Sequence, residues 1–267
     1  LGSDMDILSQ MQDGHLDLVG SQIAAVVNFV PEMAIFDLPM VFAQYDGETI
    51  DQVLNGDSQT HAAMSAAYEK VGLELLGIQQ YATYRLTTAN RELRKLEDFK
   101  NLQIRTMENS NHMAFWTAIG AAPTPLAWAE VFISLQNGTI DAQENPFEVI
   151  YANRLYEQQD YVILTNHLPA SHNLLISQVV YNGLSDTDKE LIMAVGKAAI
   201  QYSREQCDAR LSERMDLVAQ TGTEIVELPA DVLEQLRDKC SGVYDEVRAT
   251  YGDELVDMQI STAEKYA

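Results

Sequence analysis

From Ser185 to about Gln220 the sequence reads as one helix, and a helix of that length limits the folds open to the chain. Ser185 with Asp188 three residues on makes a capping-box start. No proline follows before Gln220. At 1.5 Å per residue such a helix is about 50 Å long. That is longer than one small domain is wide, so the pattern predicts a spine spanning two lobes.

The remaining pattern alternates short β-like runs with helices. Strands are predicted over 16–19, 73–78, 81–87, 102–107, 161–164, 174–181 and 224–227. Helices are predicted over 4–13, 48–54, 58–71, 110–119, 127–136, 230–250 and 253–266. Gly14, Gly72, Gly120, Gly138 and Gly252 act as stops or separators. This alternation implies an α/β fold with mixed sheets, in which ligands bind at the carboxyl ends of strands and in the cleft between lobes. The expected division is 1–82 with about 171–210 in one lobe and 83–170 with about 211–267 in the other, helix 185–220 crossing both. With 46% of 267 residues apolar, a substantial core is available. Met5, Met11 and Met33 read as part of it. Cys207 and Cys240 could form one bridge or be two buried thiols.

Charge excludes some functions. Forty acidic against 17 basic residues leave a net charge of −23. That opposes nucleic-acid binding, which needs basic surface. An anionic ligand would be repelled globally, so a local cationic site has to prevail at short range. No apolar run reaches the roughly 18 residues of a membrane span, and the opening Leu1-Gly2-Ser3-Asp4 shows no leader-like segment. There is no Gly-rich phosphate loop, metal motif or nucleophile elbow, so neither a cofactor nor a metal is expected.

The basic residues are unevenly placed. Residues 1–84 hold only Lys70; then Arg85, Arg91, Arg94, Lys95, Lys100 and Arg105 follow, and none comes after until Arg154. Arg85 and Arg105 lie in β-like runs; the others lie in a polar stretch. A guanidinium buried at a strand end requires an anion and matches a carboxylate with two parallel bonds. The residues alone leave two sources open: an internal acid such as Glu108 or Glu144, or a ligand.

Residues 102–146 contain Leu-Gln-Ile-Arg-Thr-Met-Glu-Asn, then Gly-Ala-Ala-Pro-Thr-Pro-Leu-Ala, then Glu-Val-Phe-Ile-Ser-Leu-Gln-Asn-Gly-Thr-Ile-Asp-Ala-Gln-Glu-Asn-Pro. This run resembles the DctP-type solute-binding proteins of tripartite ATP-independent periplasmic (TRAP) transporters. Asp37-Leu38-Pro39-Met40-Val41-Phe42 and the early Gln12-Asp13-Gly14 with Leu16-Asp17 agree with it. The resemblance implies a two-lobed periplasmic-binding-protein-like fold with a long spine helix. Relative to the family, the chain starts where a first strand, a helix and a second strand would already be complete. Those elements normally carry pocket residues and the first strand of the first lobe's sheet.

The resemblance also assigns ligand-binding residues. Arg105 pairs with the ligand carboxylate, Arg85 is a second arginine one strand earlier, and Asn145 bonds the same carboxylate region. Trp128 stacks on the ligand and Glu108 lines the pocket. Ser21, Gln22 and Asp4 supply polar contacts from the other lobe. His112, His167 and His172 read as structural. Two departures, Ala142 where the family has Gly and Met107 where Pro is frequent, remove no ligand-contacting group. The implied protein is a monomeric periplasmic receptor for a small carboxylate, with a sugar acid or hydroxy acid favoured, that serves a TRAP membrane permease and is not an enzyme. A module presenting a bound acid to a sensory receptor, or an enzyme acting on a small acid, are the alternatives.

Overall fold

A computed structural model of the chain describes residues 2–43 and 45–266, and over 80–84 the backbone alone. Leu1 of the opening Leu1-Gly2-Ser3-Asp4 lies outside the described residues. The chain runs α1 (Asp4–Gln12), β1 (Leu18–Gln22), α2 (Ile23–Val26), a 3-10 segment (Pro31–Asp37), α3 (Gly47–Asn55), α4 (Gln59–Lys70) and β2 (Leu73–Tyr84). It continues through β3 (Leu86–Ala89), β4 (Gln103–Thr106), α5 (Ser110–Ala118), β5 (Ala122–Pro125), α6 (Trp128–Gln136), β6 (Ala142–Asn145) and α7 (Phe147–Ala152). Then come β7 (Tyr161–Leu164), β8 (Pro169–Ser177), α8 (Gln178–Gly183), α9 (Asp186–Gln220), β9 (Glu224–Glu227), α10 (Ala230–Asp238), α11 (Ser241–Tyr251) and α12 (Asp253–Tyr266).

Local chemistry sets many of these boundaries. The Ser185 hydroxyl accepts from the Asp188 amide at 3.2 Å and opens α9. Asp46 and Ser58 cap α3 and α4 in the same way. Two sheets result. The first is antiparallel, in the order β1-β8-β2. The second is mixed, in the order β5-β4-β6-β3-β7-β9, with β4 parallel to both β5 and β6. The chain passes between them at Arg85 and again before Pro169, where the Arg85 amide donates to the Leu168 carbonyl at 2.8 Å.

The spine forms as expected and spans both lobes. Its first half lies on β2, where a Cβ at Gly196 would meet the Leu76 Cβ at 2.8 Å, so glycine permits that close approach. Its second half packs Val218, Leu211 and Met215 with α7 and its surroundings. There Arg214 bonds Glu148 at 3.1 Å and lies over the Tyr151 ring at 4.5 Å.

Several expectations change. The predicted strands 73–78 and 81–87 regroup as β2 and β3, with Arg85 alone at the crossing. The strand expected at 174–181 starts earlier, at Pro169, and gives way to α8 after Ser177. Helix 230–250 is broken between Asp238 and Ser241. β5 and β6 carry no period-2 signal: each has four residues, β5 holds two prolines, and β6 is buried throughout although polar. Residues 211–267 are shared between the lobes: Val218, Val226, Val232 and Leu236 pack in the second, whereas Val247, Val256 and Ala263 pack in the first core beside Leu54, Met64 and Tyr68. Met11 and Met33 are buried there, but Met5 is exposed. Cys207 and Cys240 are both buried thiols, with no disulfide between them.

Candidate functional site

A cleft of about 720 Å³ opens between the lobes. Gly2–Met5, Gly20–Gln22, Ala25, Asn28 and His172 line one side; Arg105, Met107, Glu108, Leu126–Ala129, Val149 and Asn153 line the other. Six expected ligand-binding residues stand in this wall: Asp4, Ser21, Gln22, Arg105, Glu108 and Trp128. Arg85 and Asn145 lie behind it, at the crossing between the sheets.

Arg105 comes from β4, the parallel strand between β5 and β6, near its carboxyl end. Its neighbour Ile104 points into the second core, and the strand's period of two sends Arg105 to the other face. The side chain is 4% exposed. Its Nε and Nη2 both donate to the Leu126 carbonyl, at 2.9 and 2.7 Å. Among the described residues no carboxylate is within 4.0 Å of it. Burial lowers its pKa to about 10; Glu144 opposes that shift, Arg85 adds to it, and Asp4 and Glu108 oppose it. It is therefore still cationic at neutral pH. Trp128 opens α6, 42% exposed, and its ring centroid lies 5.7 Å from the guanidinium carbon.

Arg85 is equally buried but saturated. It forms a two-pronged ion pair with Glu144, with Nη2 to Oε1 at 2.9 Å and Nε to Oε2. Nη1 donates to Gln22 Oε1 at 2.8 Å, which ties the crossing to β1 of the first lobe. Asn145 Oδ1 sits 3.5 Å from Nη2, while Asn145 Nδ2 donates to Gln143 Oε1 at 2.6 Å. Of the two sources for an arginine's anion, Arg85 takes the internal acid.

Glu144 anchors a wider buried network. His112 Nε2 is 3.0 Å from Asp37 Oδ1, and its Nδ1 is 3.5 Å from Glu144 Oε1. Burial opposes protonation of His112, but the two carboxylates prevail and raise its pKa to about 9. His167 Nε2 is 3.3 Å from Glu144 Oε2, and its Nδ1 bonds the Thr165 hydroxyl at 2.9 Å. Burial lowers the His167 pKa against the pull of Glu144, so that ring is neutral. Arg85, Glu144, His112 and Asp37 thus form a closed set of two positive and two negative charges. Asn109 belongs to it as well: its Oδ1 caps α5, and its Nδ2 donates to Asp37 Oδ2 at 2.6 Å and to the Ala24 carbonyl at 3.1 Å. The set joins α5 of the second lobe to the 3-10 segment of the first.

His112 and His167 are structural, as expected from sequence. His172 faces the cleft, on β8 opposite Gln22. Burial and the nearby Arg85 lower its pKa to about 3, so it presents a neutral ring. Sequence reasoning missed Asn28, Asn153 and Asp37. Asn28 and Asn153 carry no local signal, and Asp37 stood in a motif read only for its resemblance.

Comparison with known proteins agrees with this architecture. Residues 1–250 match the family model DctP, bacterial extracellular solute-binding protein family 7. The ectoine-binding periplasmic protein TeaA of Halomonas elongata is 29% identical, over 96% of this chain and 76% of its own length. The sialic acid-binding periplasmic protein SiaP of Vibrio cholerae is 27% identical over 96% and 78%. A TRAP periplasmic solute-binding protein from Bordetella bronchispeptica, whose ligand density was interpreted as pantoate, superposes with a TM-score of 0.88 at 32% identity, covering 98% of this chain and 84% of that one. With a two-lobed α/β fold, an open interlobe cleft and the family model matched along nearly its whole length, the chain belongs to the DctP family of bacterial extracellular solute-binding proteins.

Proposed function

We propose that this protein captures a small organic acid in the interlobe cleft, in the periplasm, and delivers it to a TRAP-type membrane permease without altering it. The observation that carries this reading is Arg105: a buried, protonated guanidinium that faces the cleft and, among the described residues, hydrogen-bonds only a carbonyl oxygen. Leaving a buried charge unneutralised is costly, and an entering carboxylate removes that cost with two charge-assisted bonds. Trp128 covers the adjacent face, and Glu108, Gln22, Ser21 and Asp4 offer partners for hydroxyls, which favours a sugar acid or hydroxy acid. Sialic acid and pantoate, named for two relatives, are hydroxy carboxylic acids. Arg85 and Asn145 serve from behind the wall by holding Gln22 and the end of β6 in place.

A thermal-shift screen of organic acids tests the proposal. A ligand at 100 times its dissociation constant stabilises the protein by about 2.7 kcal/mol. Arg105→Ala is expected to abolish that response, and unchanged affinity in the variant defeats the reading. Ligand recovered chemically unchanged after prolonged incubation supports capture; turnover points to an enzyme.

A further inference from the structure

The charges along the cleft say more about the ligand than that it carries a carboxylate. Among the described residues lining the cleft, Arg105 is the sole cation. Two acids share the wall with it: Asp4 at the start of α1 on one lobe and Glu108 just past β4 on the other. Both are solvent-accessible, so neither is consumed as a buried counter-ion, and both act electrostatically on Arg105. The other polar side chains there, Ser3, Ser21, Gln22, Asn28, Asn153 and the neutral His172, carry no charge. Arg85 cannot serve as a second cationic subsite, because Glu144 already occupies it through two bonds and Gln22 through a third.

Resting on the carboxylate-binding reading, we infer that the cleft accepts monocarboxylates whose other polar groups are hydroxyl or ammonium donors and rejects dicarboxylates, with Asp4 and Glu108 as the discriminating side chains. One carboxylate satisfies Arg105. A second, elsewhere on the same small molecule, finds no free cation among the described lining residues and faces two carboxylates across a partly desolvated gap. Hydroxyl or ammonium groups in the same place donate to those carboxylates. Specificity of this kind comes from a repulsive element built against the wrong ligand.

Matched pairs that differ at one terminus provide the test: D-galactonate with D-galactarate, D-gluconate with D-glucarate, and 4-hydroxybutyrate and 4-aminobutyrate with succinate. Calorimetry on the full chain is expected to show each monocarboxylate that binds doing so at least about tenfold more tightly than its dicarboxylate twin. Asp4→Asn and Glu108→Gln, combined, are expected to narrow that ratio by at least about threefold through a gain for the dicarboxylate. A dicarboxylate binding as well as its twin, or a ratio unmoved by the double substitution, overturns the inference. If no monocarboxylate in the panel binds, or Arg105→Ala binds like the unsubstituted protein, the carboxylate-binding reading itself is wrong. The two failures are therefore distinguishable.

Discussion

Arg85 and Arg105 sit close in sequence and each is 4% exposed, yet they are in opposite electrostatic states. Arg85 is locked into a neutral set with Glu144, His112 and Asp37 where the lobes meet. Arg105 has a carbonyl oxygen and an aromatic face, but no carboxylate within reach among the described residues. The contrast separates two uses of a buried guanidinium. A neutralised one holds the architecture together, and an unneutralised one holds binding energy in reserve for an anion. The crossing is therefore expected to respond to mutation in stability, and the cleft in affinity.

The largest expected effect breaks the neutral set. Glu144→Ala leaves Arg85 and His112 buried without their shared acid, and denaturant unfolding should show a loss of about 3–5 kcal/mol. Next is Arg105→Ala, for which calorimetry should show a loss of about 2–5 kcal/mol in affinity for a carboxylate ligand. Its melting temperature without ligand should stay near that of the unsubstituted protein, since no internal ion pair is broken. An equal loss of stability in both variants would erase the distinction between the arginines.

Protonation sharpens the comparison. The folded pKa of His112 is raised from 6.5 to about 9. Its stabilising contribution is therefore complete below pH 6.5 and is lost as pH rises through about 9, with an upper bound of about 3 kcal/mol at 1.36 kcal/mol per unit. Glu144 is shifted the other way, chiefly by Arg85 acting against burial, so its contribution holds above the ordinary carboxylate range and fails in acid. Melting temperature should consequently decline on the alkaline side, and His112→Gln should flatten that decline while leaving Arg105-dependent binding in place. The smallest expected effect is at Trp128. Trp128→Leu removes the ring beside the guanidinium and should weaken ligand binding by about 0.5–1 kcal/mol.

Much of this protein was legible in the chain because the information is local. The spine helix, its Ser185 cap and the α/β alternation depend on residues a few positions apart, and the run around Arg105 carried the family. The end of α11 and α12 pack in the first core although they follow α10 of the second, because an amphipathic face specifies burial but not against which core. Six of the expected residues line the cleft, whereas Asn28 and Asn153 were not foreseen because each reaches the wall only through loop and helix-end placement.

By itself the sequence determined that two arginines stand in β-like runs and that each, once buried, requires an anion. Only the tertiary structure decided which anion each receives. Glu144 reaches Arg85 across 59 positions and Asp37 reaches His112 across 75, through β3–β6 pairing and the approach of the two lobes. Charge neutralisation depends on distances of a few ångströms, which no spacing along the chain specifies.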